Sequence, residues 1–129
     1  MGPIKPASSR ARRRAYRYGL WAERLAALML LLKGYRILAM RFQTALGEID
    51  LIAQKGGILV FVEVKYRQNA EQGIAALNAR QRDRVGRAAQ LFLYSRPALA
   101  LLDQRFDVIM VYPWKLIQHI KNYWQPSLK

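Results

Sequence analysis

The stretch GEIDLIAQKGGILVFVEVKYR, Gly47–Arg67, decides how the chain folds. Apolar and polar residues alternate on both sides of Gly56-Gly57, a pair suited to a two-residue hairpin because positive φ costs glycine nothing. Such a turn sets the register: Lys55 faces Ile58, Asp50 faces Glu63, and Glu48 faces Lys65. Side chains alternate across a strand, so Glu48, Asp50, Glu63 and Lys65 emerge on one face and Ile49, Leu51, Val62 and Val64 on the other. Counting outward from the turn makes Asp50 and Glu63 a non-hydrogen-bonded pair, with Cβ atoms about 4.5–5.5 Å apart. A three- or four-residue loop would change that register, whereas the shared face of Glu63 and Lys65 depends on alternation alone.

Three of the chain's eight acidic residues lie in this stretch, two of them opposed. Carboxylates that face each other across a sheet repel. Three compensations are open. A divalent cation bound by both would relieve the repulsion, and hard oxygen ligands suit Mg²⁺ or Mn²⁺. One carboxyl could instead keep its proton, or Lys65 and a nearby arginine could neutralise the pair.

At 129 residues the chain is long enough for one domain with an ordinary core. The absence of cysteine excludes disulfides, thiolate metal sites and cysteine nucleophiles, and fits a cytoplasmic protein. A formal charge of +14, from 22 Lys+Arg against eight Asp+Glu, favours a polyanionic partner, nucleic acid or an anionic membrane. The apolar run Leu25–Leu32 is too short for the ~20 residues of a membrane span, and Glu23 and Arg24 interrupt it upstream. It reads as part of a buried helix, and no membrane partner is expected.

Residues 1–14, with Pro, Gly, Ser and the arginines Arg10 and Arg12–Arg14, read as a flexible basic arm ahead of a single domain over 15–129. Helix formers predominate from Tyr16 to Lys33 and Gly34 supplies a stop; the C-terminal half is apolar nearly all round and should be covered on most sides. Tyr35–Phe42 reads as the first strand, ahead of the two strands of the hairpin. In Leu77–Ser95 the residues Leu77, Val85, Ala88, Ala89 and Phe92 recur at helical spacing, with Arg80, Arg84 and Arg87 on another face. Arg105–Tyr112 is a compact apolar strand. The tail from Trp114 has aromatic anchors but no stop signals, and reads as a short helix or an extended cover. The order of elements predicts an α/β fold, a mixed sheet flanked by helices.

GEIDLIA followed by FVEVKYR, then a helix and RFDV, resembles the YraN-like proteins, predicted nucleases of the PD-(D/E)XK superfamily related to archaeal Holliday junction resolvases. The likeness runs from about Tyr18 to Tyr112. It implies a restriction-endonuclease-like core and hydrolysis of phosphodiester bonds in DNA, branched structures included. It makes Asp50 and Glu63 the acids that hold Mg²⁺ or Mn²⁺ and Lys65 the lysine that serves the hydrolytic water. Glu23 matches a first-helix glutamate that completes the metal site, and Glu48 supports the metal or positions Lys65. Family members often carry lysine where this chain has Gln81, which leaves phosphate contact there to Gln81, Arg80 or Arg82. Resolvases act as dimers, so the resemblance also implies a homodimer.

Nucleic-acid affinity is expected from the arm and from Arg67, Arg80, Arg84 and Arg87, with salt-sensitive binding and little sequence preference; RNA is not distinguished from DNA. Asp107 reads as structural, paired with Arg105 or capping backbone. His119, the lone histidine, reads as packed or solvent-facing rather than as a metal ligand. Trp114, Tyr123 and Trp124 read as anchors docking the tail rather than as base-stacking platforms. The competing reading is a nucleic-acid-binding module whose nuclease site is vestigial. A third is a membrane-surface protein that binds through its arm.

Overall fold

The computed structural model describes residues 9–67, 78–113 and 117–125, with backbone alone for 9–16 and 18. Helix α1 (Ser9–Leu32) precedes three antiparallel strands, β1 (Arg36–Gln43), β2 (Glu48–Lys55) and β3 (Ile58–Tyr66). Helix α2 (Ala79–Tyr94) leads through a short 3₁₀ turn, Leu99–Leu101, to β4 (Asp103–Val111), and β5 (Ile117–Trp124) follows. The sheet runs in the order β1-β2-β3-β4-β5. Only β3 and β4 are parallel. A parallel pair needs a crossover, and α2 lies in it.

β3 is the central strand, and Leu59, Val60, Phe61 and Val62 are fully buried because a helix covers each face of the sheet. On one face Ala22, Ala26 and Leu30 of α1, four residues apart, pack on Leu51, Ala53, Val60, Val62, Ile109 and Val111. On the other, Val85, Ala88, Ala89 and Phe92 of α2 pack on Ile52, Leu59, Phe61, Phe106, Val108 and Met110. Phe92 meets Phe42 and Phe61 edge-on, and Phe61 stacks on Phe106. Full burial of each such side chain stabilises the fold by roughly 1.5–3 kcal/mol. This is the expected mixed α/β architecture, consistent with a restriction-endonuclease-like core.

Four details differ from expectation. α1 starts at Ser9, so residues 9–14 of the expected arm are helical; Ala and Arg are good helix formers, and residues 1–8 lie outside the described residues. The apolar half of α1 is covered on one side only, since Leu28, Leu31 and Leu32 face solvent while Ala26, Ala27 and Leu30 are buried. α2 begins at Ala79, behind the N-cap Asn78; Leu77 falls outside the described residues. The tail, read as a short helix or an extended cover, is extended and forms a regular strand of the sheet, antiparallel to β4. A bulge hid its period: the pairing slips between Phe106 and Val108, and Asn122 on β5 has φ 54. Among the described residues no helix is long and apolar enough to cross a membrane.

Candidate active site

β2 and β3 keep the register of a two-residue turn from Lys55↔Ile58 to Leu51↔Val62, and there their ladder ends. β2 stays paired with β1 as far as Gln43↔Glu48. The strands therefore part just where Asp50 and Glu63 were expected to pair. A strand that leaves its ladder exposes an N–H that needs another acceptor. Asp50 supplies it, with Oδ2 accepting from the Val64 N–H at 2.8 Å. Alternation breaks at the same point. Ile49 packs in the cluster under α2 and Leu51 in the one under α1, so they do not share the face that strict alternation assigned them.

A cavity of about 270 Å³ opens where the strands part, reaching between the two helices. Asp50, Glu63 and Lys65 line it from the sheet, Gly19, Ala22 and Glu23 from α1, and Gln81 and Arg84 from α2. Glu48 stands at its exposed rim. The cavity thus gathers all four expected metal acids, Lys65, and two of the expected nucleic-acid contacts. Arg80 and Arg87 are exposed on α2 and do not line it. Arg67 lies beyond β3, its guanidinium donating to the Tyr66 carbonyl at 2.8 Å.

Burial dominates the electrostatics. It pushes the Glu63 carboxyl up to about 8, reinforced by the Asp50 charge and opposed by Lys65. It pushes Asp50 up to about 6, opposed by the Val64 N–H. Both carboxyls are thus held above their ordinary range, and the pair resists full ionisation. Lys65 Nζ lies 3.9 Å from Glu63 Oε2, at the outer limit of an ion pair. Glu63 Oε1 is buried with no hydrogen-bond partner among the described residues.

The donor set bears on which ion could be held. Among the described residues no three His, Asp or Glu side chains form a ready coordination shell. Mg²⁺ does not require one, because it keeps several waters and binds through one or two carboxylates. Asp50 and Glu63 are two carboxylates of the kind such an ion takes, and they line the same cavity. Glu23 is engaged elsewhere: Arg41 Nε donates to its Oε2 at 2.8 Å.

Three features of the site escaped the sequence. Arg41 sits in a strand at φ 53, a left-handed conformation that costs a non-glycine residue roughly 1–3 kcal/mol. Gly47 faces the α2 backbone so closely that a Cβ would run into the Arg84 carbonyl. The Thr44 hydroxyl closes that turn, donating to the Gly47 carbonyl at 2.7 Å and accepting from the Leu46 and Gly47 N–H groups. Gln81 forms a capping box with Asn78: its N–H donates to Asn78 Oδ1 at 2.9 Å, and its Oε1 accepts from the Asn78 N–H. The spacing Asn78-x-x-Gln81 was the available signal.

Asp107 and His119 are structural and line no part of the cavity. Asp107 is fully buried and accepts from Arg105 Nε and Nη2 at 2.9 Å each, from His119 at 2.7 Å and from the Asn122 N–H at 2.9 Å. Burial alone would raise its carboxyl; these donors outweigh it and hold it below the usual value. Lys33 Nζ lies 3.0 Å from His119 Nδ1. An ammonium only donates, so Nδ1 accepts and Nε2–H donates to Asp107. Trp124 is buried against Phe106, with ring centroids 5.1 Å apart, so it docks the tail; Trp114 lies outside the described residues.

Comparison with known proteins gives one consistent answer. Residues 22–111 match the family described as "Uncharacterised protein family UPF0102". A UPF0102 protein of Paramagnetospirillum magneticum is 47% identical over 121 residues, covering 91% of this chain and 94% of the relative. One from Maricaulis maris is 44% identical over 119 residues, covering 92% and 94%. One from a Bradyrhizobium species is 48% identical over 121 residues, covering 92% and 86%. The matched segment runs from the Ala22-Glu23 wall of the cavity to the end of β4 and takes in Asp50, Glu63 and Lys65. The chain belongs to family UPF0102, the YraN family that its motifs resemble.

Proposed function

We propose that this protein is a metal-dependent endonuclease that hydrolyses phosphodiester bonds in DNA, with Mg²⁺ or Mn²⁺ held by Asp50 and Glu63. The observation that carries this reading is the buried Glu63 carboxyl, one oxygen without a partner, beside Asp50 in a cavity that also contains an amine. A fold gains nothing from burying two acids in this way, and leaving a polar atom unpartnered costs about 1–3 kcal/mol. A bound divalent ion supplies an acidified water and a Lewis acid at the phosphoryl oxygen.

The chain's residues divide the remaining work. Asp50 and Glu63 would hold the ion as carboxylates, with Asp50 oriented by the Val64 N–H. Lys65, across the cavity floor, orients the attacking water or neutralises charge developing on the phosphate. Arg84 and the Gln81 amide line the α2 wall and would hold phosphate oxygens. As the water's oxygen bonds to phosphorus it would release a proton to solvent, the bond to the leaving sugar oxygen would break, and that oxygen would take a proton from solvent.

The test is a cleavage panel of linear, flapped, forked and four-way DNA with Mg²⁺, Mn²⁺ or chelator. Asp50→Asn and Glu63→Gln abolish cleavage and leave DNA affinity equal or higher, since negative charge near phosphate is removed. Unchanged cleavage by either variant ends the reading. A second reading, a nucleic-acid-binding module with a silent site, draws on Glu23 being tied to Arg41 and Gln81 being tied into a cap. It predicts salt-dependent binding with no metal-dependent product on any DNA or RNA form.

A further inference from the structure

The α1 wall of the cavity contains a glycine in the interior of a 24-residue helix. Glycine there weakens a helix by about 0.5–1 kcal/mol relative to alanine. Where packing demands it, as at Gly47, a Cβ would strike a neighbour. At Gly19 a Cβ would meet nothing within 4 Å among the described residues, and no positive φ requires glycine. The gap above Gly19 is also held open by its surroundings. Ala22, Ala26 and Leu30 are locked against the sheet, and Glu23 is pinned to Arg41, so α1 cannot settle inward to fill it. Across the gap lies the cationic α2 wall with Arg84, and the buried, unpartnered Glu63 oxygen belongs to the residue lining it from the sheet.

We propose that the bare backbone at Gly19 is the track along which the nucleic-acid strand enters the cavity, and that Gly19 sets the clearance for its sugar-phosphate backbone against Arg84. The assignment rests on the nuclease reading for the identity of the ligand. It makes Gly19 a clearance-determining residue and leaves it no part in the chemistry. A volume of about 270 Å³ lies just below the usual range for small-molecule sites, room for one phosphodiester of the entering strand.

Three variants, Gly19→Ala, Gly19→Ser and Gly19→Leu, test this with four readouts: melting temperature, Mn²⁺ affinity by calorimetry, affinity for a labelled single-stranded DNA oligonucleotide in chelator, and cleavage in Mn²⁺. All three variants melt at or above the parent temperature and bind Mn²⁺ as the parent does. Gly19→Leu loses roughly tenfold or more in oligonucleotide affinity, the scale of one lost set of phosphate contacts, and loses cleavage with it. Gly19→Ala and Gly19→Ser lie between. Parent-like binding and cleavage by Gly19→Leu overturns the proposal. So does a loss of Mn²⁺ affinity equal to the loss of DNA affinity, which would mean that the wall itself had shifted. Should Gly19→Leu fail to fold, parent-like binding by both small variants overturns it. A parent that binds the oligonucleotide but yields no metal-dependent product refutes the nuclease reading, while the affinity series still judges the track.

Discussion

At Glu63 the carboxyl titrates near 8 in the folded chain against an ordinary value of 4.5, and at Asp50 near 6 against 3.8. The unfolded chain releases the Glu63 proton first as pH rises. Between about 4.5 and about 8 the folded state holds more protons, so stability falls with rising pH. The loss is on the order of a few kcal/mol, at about 1.4 kcal/mol for each unit traversed. Asp107 acts in the opposite sense and in another window: its carboxyl is lowered, so its contribution is present above 3.8 and disappears only at lower pH. In metal-free protein the melting temperature therefore declines across the Glu63 window, and Glu63→Gln flattens the decline and melts higher at its alkaline end. An unchanged slope in that variant refutes the assignment. Added Mg²⁺ raises the melting temperature most at the alkaline end and displaces protons near neutrality, measured by calorimetry in buffers of different ionisation enthalpy. Part of this was legible beforehand. Gly56-Gly57 is a local signal, and it set the register from Lys55 to Leu51; alternation alone put Glu63 and Lys65 on one face, and both line the cavity. The direct pairing of Asp50 with Glu63 that the turn implies is absent, and its loss was not legible, because the ladder ends where β2 follows β1, a tertiary choice that leaves no mark on the hairpin itself.

Between elements, the turn from β1 to β2 meets α2 at Gly47, where backbone lies against backbone. Gly47→Ala forces one of them to move, at a cost of about 1–3 kcal/mol. Because α2 carries Gln81 and Arg84, cleavage falls by more than stability alone explains. Asn78→Ala makes the contrast, costing about 1 kcal/mol by removing the cap, with cleavage reduced through the Gln81 side chain only. Parent-like turnover by Gly47→Ala at full stability would show that this contact does not set the site. The glycine of GEID could be read as a turn residue but not as a contact with a helix some forty positions away. β5 was missed for a related reason. Its apolar period is broken by the Asn122 bulge, and the carboxylate that holds the bulge, Asp107, belongs to another strand. Arg41 hid inside an ordinary strand pattern, since nothing in YRILAMRF signals a left-handed backbone.

For the whole molecule, scaffold and site use their buried acids in opposite ways. Asp107 is saturated by donors from Arg105, His119 and Asn122 and ties β5 to β4. Asp107→Ala leaves the part-buried Arg105, the His119 N–H and the Asn122 N–H without their acceptor and costs about 1–3 kcal/mol, read as a lower denaturation midpoint, whereas Asp50→Asn leaves the midpoint equal or higher. If both variants were equally destabilised, the division between the two acids would fail. The parting of β2 from β3 also bears on how the protein can be watched. Most amides of the central strand are locked into ladders on either side and exchange with solvent only when large parts of the molecule open. The Val64 amide is tethered instead to a carboxylate oxygen, so its deuterium uptake and its nitrogen-15 resonance register what happens to Asp50 while the neighbouring amides stay silent.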